Sequence, residues 1–218
     1  MTKLAVFDVD KTITLFPTWR QFLLLATDER RHRRMRLAGA MGLAGIAYAT
    51  GRGTRTGVKE AALRSVLAGR TREDLEALAE RFVNDLLESG LRPNARRVIE
   101  QHKAAGEEVV VATAAVDLII DPLCEALGIE TKLCTPMAWE DGVLQDRFAG
   151  PNCYAEEKER QVRKLVEERD GELVAFYSDH ISDLGLLKLA RRGVAVNPSP
   201  ALLAAAEANG VDVEDWNQ

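Results

Sequence analysis

The sequence predicts an α/β fold in three layers, a parallel sheet between helices, with a helical domain inserted after the first strand. Short apolar runs at residues 3–8, 109–113, 173–178 and 193–197 each lead into a stretch of helical periodicity. They lack polar alternation, as strands buried on both faces of a parallel sheet do. Residues 16–90, by contrast, read as helix throughout.

The first run, Lys3-Leu-Ala-Val-Phe-Asp8, ends in an acid. Within 16–90, Leu75, Leu78, Ala79, Phe82, Val83 and Leu86 share one helical face, and Gly90 then Pro93 end that helix. One crossover helix needs far fewer residues. Residues 16–90 are therefore expected to form a helical cap, with 1–15 and 91–218 as the core. Val109–Thr113 is the second strand, and Gly106, Gly128, Gly171, Gly193 and Gly210 are expected just past helix ends. Met137–Phe148 reads as a hairpin turning at Asp141-Gly142, beside the sheet rather than within it. Leu173–Ser178 and Gly193–Asn197 are further strands, and Ser199-Pro200 opens the last helix.

Bulk properties exclude little but are informative. A net charge of −5 gives no reason to expect a nucleic-acid partner. Cys124, Cys134 and Cys153 have no CxxC spacing, no charged n-region precedes the first strand, and no signal-length apolar segment follows it at once. Reduced thiols and a cytoplasmic location are expected.

Ligands of open parallel sheets bind beyond the carboxyl ends of the strands. There stand Asp8, Asp10 and Thr12 after the first strand, Thr113 at the end of the second, and Asp179 and Asp183 after the run at 173–178. Lys158 begins the helix before that run. Gathered carboxylates raise one another's pKa unless a cation neutralises them. An all-oxygen set without a His or Cys cluster points to Mg²⁺. A lysine and a threonine hydroxyl supply the positive charge and the donor that a phosphoryl group in transfer needs. Singly, each residue has a plainer reading: the acids as turn or N-cap residues, Thr113 as an ordinary strand residue, Lys158 as part of a solvated face with Glu156, Glu157 and Glu159.

As an ordered set, Asp8-x-Asp10-x-Thr12, Thr113, Lys158 and Asp179-x-x-x-Asp183 resemble the haloacid dehalogenase superfamily. The phrases Phe7–Thr12, Gly150–Lys158, Tyr177–Leu184 and Ala195–Pro198 are similar to its phosphoserine-phosphatase-like branch, subfamily IB. The resemblance implies a three-layer Rossmann-like core with an inserted helical cap of the C1 type. It implies a Mg²⁺-dependent phosphomonoester hydrolase working through an aspartyl-phosphate. In that scheme Asp8 is the nucleophile and a metal ligand. Asp10 is the general acid and then the base, with its carbonyl on the metal. Thr113, Ala114 and Lys158 hold the phosphate, Asp179 is a metal ligand, and Asp183 is a ligand through water or an orienting partner.

The sequence departs from phosphoserine phosphatases in three places. The segment Leu15–Phe22 lacks the acid that would meet an amino group, Ala114-Ala115 replaces two glycines, and His180 and Ser182 stand in the last motif. Phosphoserine is therefore not the expected substrate. Residues 30–49 join a basic run, Arg30-Arg-His-Arg-Arg-Met-Arg36, to an apolar stretch too short to span a bilayer. The simpler expectation is a buried cap helix behind a solvated basic loop. The alternative is peripheral contact with the inner face of the membrane and a lipid phosphate substrate, since the same region is hydrophobic in related phosphatidylglycerophosphate phosphatases. A signalling receiver that holds aspartyl-phosphate is the competing class, but receivers lack the long insert and the late pair of acids.

Overall fold

The computed structural model describes residues 1–27 and 30–217; residue 218 of the expected core and residues 28 and 29 of the expected cap lie outside the described residues. The chain opens with β1 (Thr2–Phe7). Leu4 and Val6 pack into one buried cluster, Ala5 and Phe7 into another on the opposite face. Strand geometry, with its period of two, imposes that division, and it makes β1 the centre of a three-layer structure.

A kinked turn over Val9–Ile13 carries the chain off the sheet, with Lys11 at a φ of 63°. Helices α1 (Thr18–Ala26), α2 (Arg31–Ala49), α3 (Arg55–Val66) and α4 (Arg72–Ser89) follow before the next strand. The Thr54 and Thr71 hydroxyls cap α3 and α4 by accepting from the amides of Gly57 and Asp74, at 3.0 and 3.3 Å. The expected apolar face of α4, Leu75 to Leu86, is buried. This insertion leaves and rejoins the core at one place. Thr14 pairs with Leu91 in an antiparallel bridge, flanked by hydrogen bonds from Leu15 N–H to the Gly90 carbonyl (2.8 Å) and from Arg92 N–H to the Ile13 carbonyl (2.9 Å).

The chain continues through α5 (Ala95–Ala104), β2 (Glu108–Val116), α6 (Asp117–Ala126) and β3 (Thr131–Thr135). β4 (Met137–Glu140) and β5 (Val143–Phe148) form a separate antiparallel pair, with Asp141 and Gly142 at φ of 48° and 75°. Positive φ at both central residues matches the right-handed strand twist, which is why Asp-Gly turns hairpins. The remaining elements are α7 (Glu156–Glu168), β6 (Gly171–Ser178), α8 (Leu184–Leu189), β7 (Arg192–Val196), α9 (Pro200–Asn209) and β8 (Asp212–Glu214). The main sheet has the order β3-β2-β1-β6-β7-β8, every neighbouring pair parallel. The fold is the predicted α/β sheet. The order reverses between β1 and β6, so a crevice opens beyond their carboxyl ends.

Two expectations need correction. Gly106, Gly128 and Gly210 adopt φ of 71°, 60° and 66°, as helix-terminating glycines do. Gly171 and Gly193 instead belong to β6 and β7, where neighbouring atoms leave no room for a side chain: a Cβ on Gly193 would stand 2.0 Å from the Leu187 carbonyl oxygen. The second correction concerns α2. Its arginines are helical rather than in a loop, and Leu37 is its one buried residue, while Met35, Leu43 and Ile46 are 70%, 75% and 64% exposed. Its apolar residues are not gathered on one stripe, so packing against α3 covers few of them.

Gly193→Ala is expected to cost about 1–3 kcal/mol, because the backbone of Leu187 must move to admit one methyl group. Urea unfolding measures this, and an unchanged midpoint would show that the contact yields freely.

Candidate active site

Asp8 follows the last residue of β1, and its amide donates to the Tyr177 carbonyl of β6 at 2.9 Å. That bond aims its carboxylate into the crevice between the two strands. The side chain is 6% exposed and held from both sides. Lys158 Nζ donates to Asp8 Oδ1 at 2.8 Å and Thr12 Oγ1 donates to Oδ2 at 3.3 Å. The Thr12 hydroxyl also accepts from the Asp179 amide at 3.0 Å, so it ties the two strand ends together.

Lys158 sits in the first turn of α7, 3% exposed, and serves a second carboxylate: Nζ lies 2.7 Å from Asp183 Oδ2. Ser178 Oγ donates to the same Asp183 oxygen at 2.8 Å. Asp183 is thus engaged with Lys158 and Ser178. Burial pulls the Lys158 ammonium down, but Asp8 and Asp183 outweigh it and hold it above its ordinary value. Burial pushes Asp8 up to about 7 against the pull of Lys158. Asp179 is likewise pushed up to about 6 by burial, and its carboxylate makes no hydrogen bond to a side chain or amide among the described residues. 

Asp10 meets the insertion. Its Oδ1 accepts from both the amide and the hydroxyl of Thr18, at 2.8 and 2.7 Å, where α1 begins. Burial raises Asp10, and the two Thr18 bonds oppose it. At the end of β2, pairing with β3 shifts register between Ala112 and Val116, which frees the bulged segment Thr113–Ala115 to face the crevice. Thr113 Oγ1 accepts from the Ala115 amide at 3.1 Å. The Ala114 carbonyl accepts from Thr135 Oγ1 at 2.9 Å and from Lys59 Nζ, which also donates to Asn152 Oδ1 at 2.9 Å. Burial lowers Lys59 to about 8.

Asp8, Asp10, Thr113, Ala114 and Lys158, together with Asp179 and Asp183, line one cavity of about 480 Å³ between the sheet and the insertion. The same cavity is lined by residues that the sequence did not single out: Trp19, Arg20, Tyr48, Arg55, Lys59 and Tyr154. The i, i+4 spacing of Arg55 and Lys59 on one helix was the available signal. Burial pushes all three free thiols up to about 12, which disfavours the nucleophilic thiolate at neutral pH.

Among the described residues no three Asp, Glu, His or Cys side chains close into a metal cage. Mg²⁺ does not need one, because it keeps several waters and takes one or two carboxylates plus substrate phosphate. Asp8 and Asp179, hard oxygen donors with raised pKa values at adjacent strand ends, fit such an ion.

A family model described as haloacid dehalogenase-like hydrolase matches residues 5–188. Protein CicA of Caulobacter vibrioides is 33% identical over 189 residues, covering 86% of this chain and 82% of that protein. A histidinol-phosphatase of Neisseria meningitidis serogroup C is 28% identical over 228 residues, covering 96% and 97%. A solved structure of a protein of unknown function from Bordetella pertussis Tohama I superposes with a TM-score of 0.83 at 28% identity, covering 99% of each chain. A phospho-aspartyl intermediate analogue of phosphoserine phosphatase superposes with a TM-score of 0.68 at 19% identity, covering 100% and 94%, a likeness of fold.

Lys158→Met is expected to destabilise the fold by about 3 kcal/mol at pH 8, since Asp8 and Asp183 stay buried without their partner. The loss should shrink at pH 5. Asp8 already titrates near 7 beside the lysine, and without it the folded-state pKa rises further. Stability from such a group is fully present below its unfolded pKa and is lost as pH rises through the folded one. Urea unfolding at the two pH values tests this, and equal losses would locate the cost elsewhere.

Proposed function

We propose that this chain, which belongs to the haloacid dehalogenase-like hydrolase family, is a phosphatase that hydrolyses phosphomonoesters with Asp8 as its nucleophile. The observation that carries the reading is the convergence of Asp8, Asp10, Thr113, Lys158 and Asp179 on one cavity at the sheet's switch point.

Asp8 attacks phosphorus, the bond to the leaving oxygen breaks, and Asp10 gives that oxygen a proton. The same Asp10 then takes a proton from water, whose oxygen attacks the aspartyl-phosphate and returns Asp8 as a free carboxylate. Splitting one difficult displacement in two is the advantage of the covalent route. Burial favours the protonated form of Asp10 at the start. Thr113 and Lys158 hold phosphoryl oxygens, Ala114 lets the β2 bulge approach them, and Lys158 keeps Asp8 oriented. Asp8, Asp179 and the Asp10 carbonyl would hold Mg²⁺, with Asp183 behind Lys158, and the ion would supply positive charge against the phosphoryl oxygens. The insertion acts as a cap that closes the cavity, anchored through Thr18 to Asp10 and through Lys59 to Ala114.

A second reading, a lipid phosphate substrate at a membrane surface, draws on α2. Met35, Leu43 and Ile46 are exposed there, and Gly45 and Tyr48 of the same helix line the cavity. Among the described residues no helix is long and apolar enough to cross a membrane, so contact would be peripheral.

Asp8→Asn should lower phosphate release by at least about 10³-fold with the fold intact by circular dichroism. Retained turnover would remove Asp8 as nucleophile. Asp10→Asn should slow release by about 10²–10⁴-fold. EDTA should stop the wild-type enzyme and Mg²⁺ restore it, and a long-lived phosphoprotein under these conditions would favour the receiver class. Flotation with phosphatidylglycerol vesicles, against neutral phosphatidylcholine ones, tests the lipid reading: absence of binding to either restricts the enzyme to soluble esters.

A further inference from the structure

The two halves of the cavity differ in charge. Every carboxylate on its wall, Asp8, Asp10, Asp179 and Asp183, comes from the sheet side. The insertion contributes Arg20, Arg55 and Lys59 to the wall, together with the aromatic rings of Trp19 and Tyr48, and no acid. Among the described residues neither Arg20 nor Arg55 forms an ion pair, although ion pairs are plentiful elsewhere on the surface of this chain.

Arg55 is nevertheless held in place. Its guanidinium carbon lies 4.3 Å over the centre of the Tyr154 ring, in the loop that leads to Lys158. A guanidinium held over a ring and without an ion-pair partner has N–H groups left for an oxyanion, which it can engage with two parallel bonds. A cation without a counter-charge, held over a ring on the cavity wall, describes a receptor for an oxyanion. An amine would find no counter-charge there, and Arg20, Arg55 and Lys59 would repel it.

We infer that the substrate's leaving group carries a second anionic group, a carboxylate or a phosphate, received by Arg55 and Arg20 while the reacting phosphate sits on Lys158 and Thr113. This rests on the phosphatase reading above and deepens it. The consequence is selection by tail charge: anionic tails are favoured, neutral ones tolerated and cationic ones rejected.

The test compares three esters of equal length with Mg²⁺ present: 3-phosphonooxypropanoate, propyl phosphate and 3-aminopropyl phosphate. The expected kcat/KM for the anionic tail exceeds that for the neutral one by at least about tenfold, the gain of one charged hydrogen-bonding pair. The cationic ester should be poorest. In Arg55→Gln the ratio of anionic to neutral kcat/KM should fall about tenfold through KM, and Arg55→Lys, which keeps the charge, should retain part of it. Replacing propanoate by 1,3-propanediol bisphosphate tells whether the second group is better as carboxylate or as phosphate. Equal kcat/KM for the three esters, or an anionic preference unchanged in Arg55→Gln, overturns the inference while leaving the phosphatase reading intact. Release from none of them, with p-nitrophenyl phosphate also untouched, overturns both.

Discussion

A buried ammonium shared by two carboxylates gathers three distant stretches of chain to one point. Lys158 lies in the first turn of α7, Asp8 follows β1 and Asp183 follows β6, and all three are nearly excluded from solvent. Charges in such a place cost several kcal/mol each unless their partners are well placed. The pairing is satisfied only when the first turn of α7 stands over the crevice and β1 and β6 lie side by side in register. The parallel pairing of β1 with β6 and the bond from Ser178 to Asp183 follow from the same requirement. Packing alone would tolerate small slips of α7. The ion triad does not.

The triad also explains why the site is electrostatically tense. Four acids face one cavity, and burial raises Asp8, Asp10 and Asp179 above the usual carboxylate range. Beside these acids such a site favours a cation, the place proposed for Mg²⁺. The insertion answers from the other side with cations and with the Thr18 donors that grip Asp10. In the proposed scheme chemistry and selection lie on separate elements: the strand ends carry the groups that would act on the phosphate ester, and the helices carry those that would meet the rest of the molecule.

Much of this was legible in the residues. Strands β1, β2, β6 and β7 are largely buried on both faces, so their sequences are mostly apolar, and the acids after β1 and β6 stand out as polar residues where polarity is costly. The Asp141-Gly142 turn declared itself because few other pairs accept two positive φ angles. Other features were hidden for physical reasons. Strands β3, Thr-Lys-Leu-Cys-Thr, and β8, of three residues, are short and partly exposed, and their patterns match those of loops. Gly171 is set by its approach to the Leu4 side chain and Gly193 by its approach to the Leu187 backbone, which no local pattern encodes. Arg20 and Arg55 are exposed and read like any solvated arginine, and only the folding of the insertion over the sheet puts them on the cavity wall. The exposure of α2 depends on what surrounds it, and its composition alone suggested a buried helix.

The bridge between Thr14 and Leu91 has a consequence for how this protein can change. To the sheet, residues 15–90 are one long hairpin loop whose ends already touch. The entropy of closing a loop grows only with the logarithm of its length, so each doubling adds about 0.6 kcal/mol. Added length between these two residues therefore costs the catalytic half little, whereas the face that packs on the sheet is shared with it: Phe22, Leu75, Phe82 and Leu86 lie in one buried cluster with Ala5 and Phe7. Helices there can be lengthened, and exposed residues such as Arg20 and Arg55 exchanged, at little cost to the strands below so long as that face is kept. A lineage that holds this junction and the Thr18–Asp10 contact can alter the outer part of one loop while the acids at the strand ends stay in place.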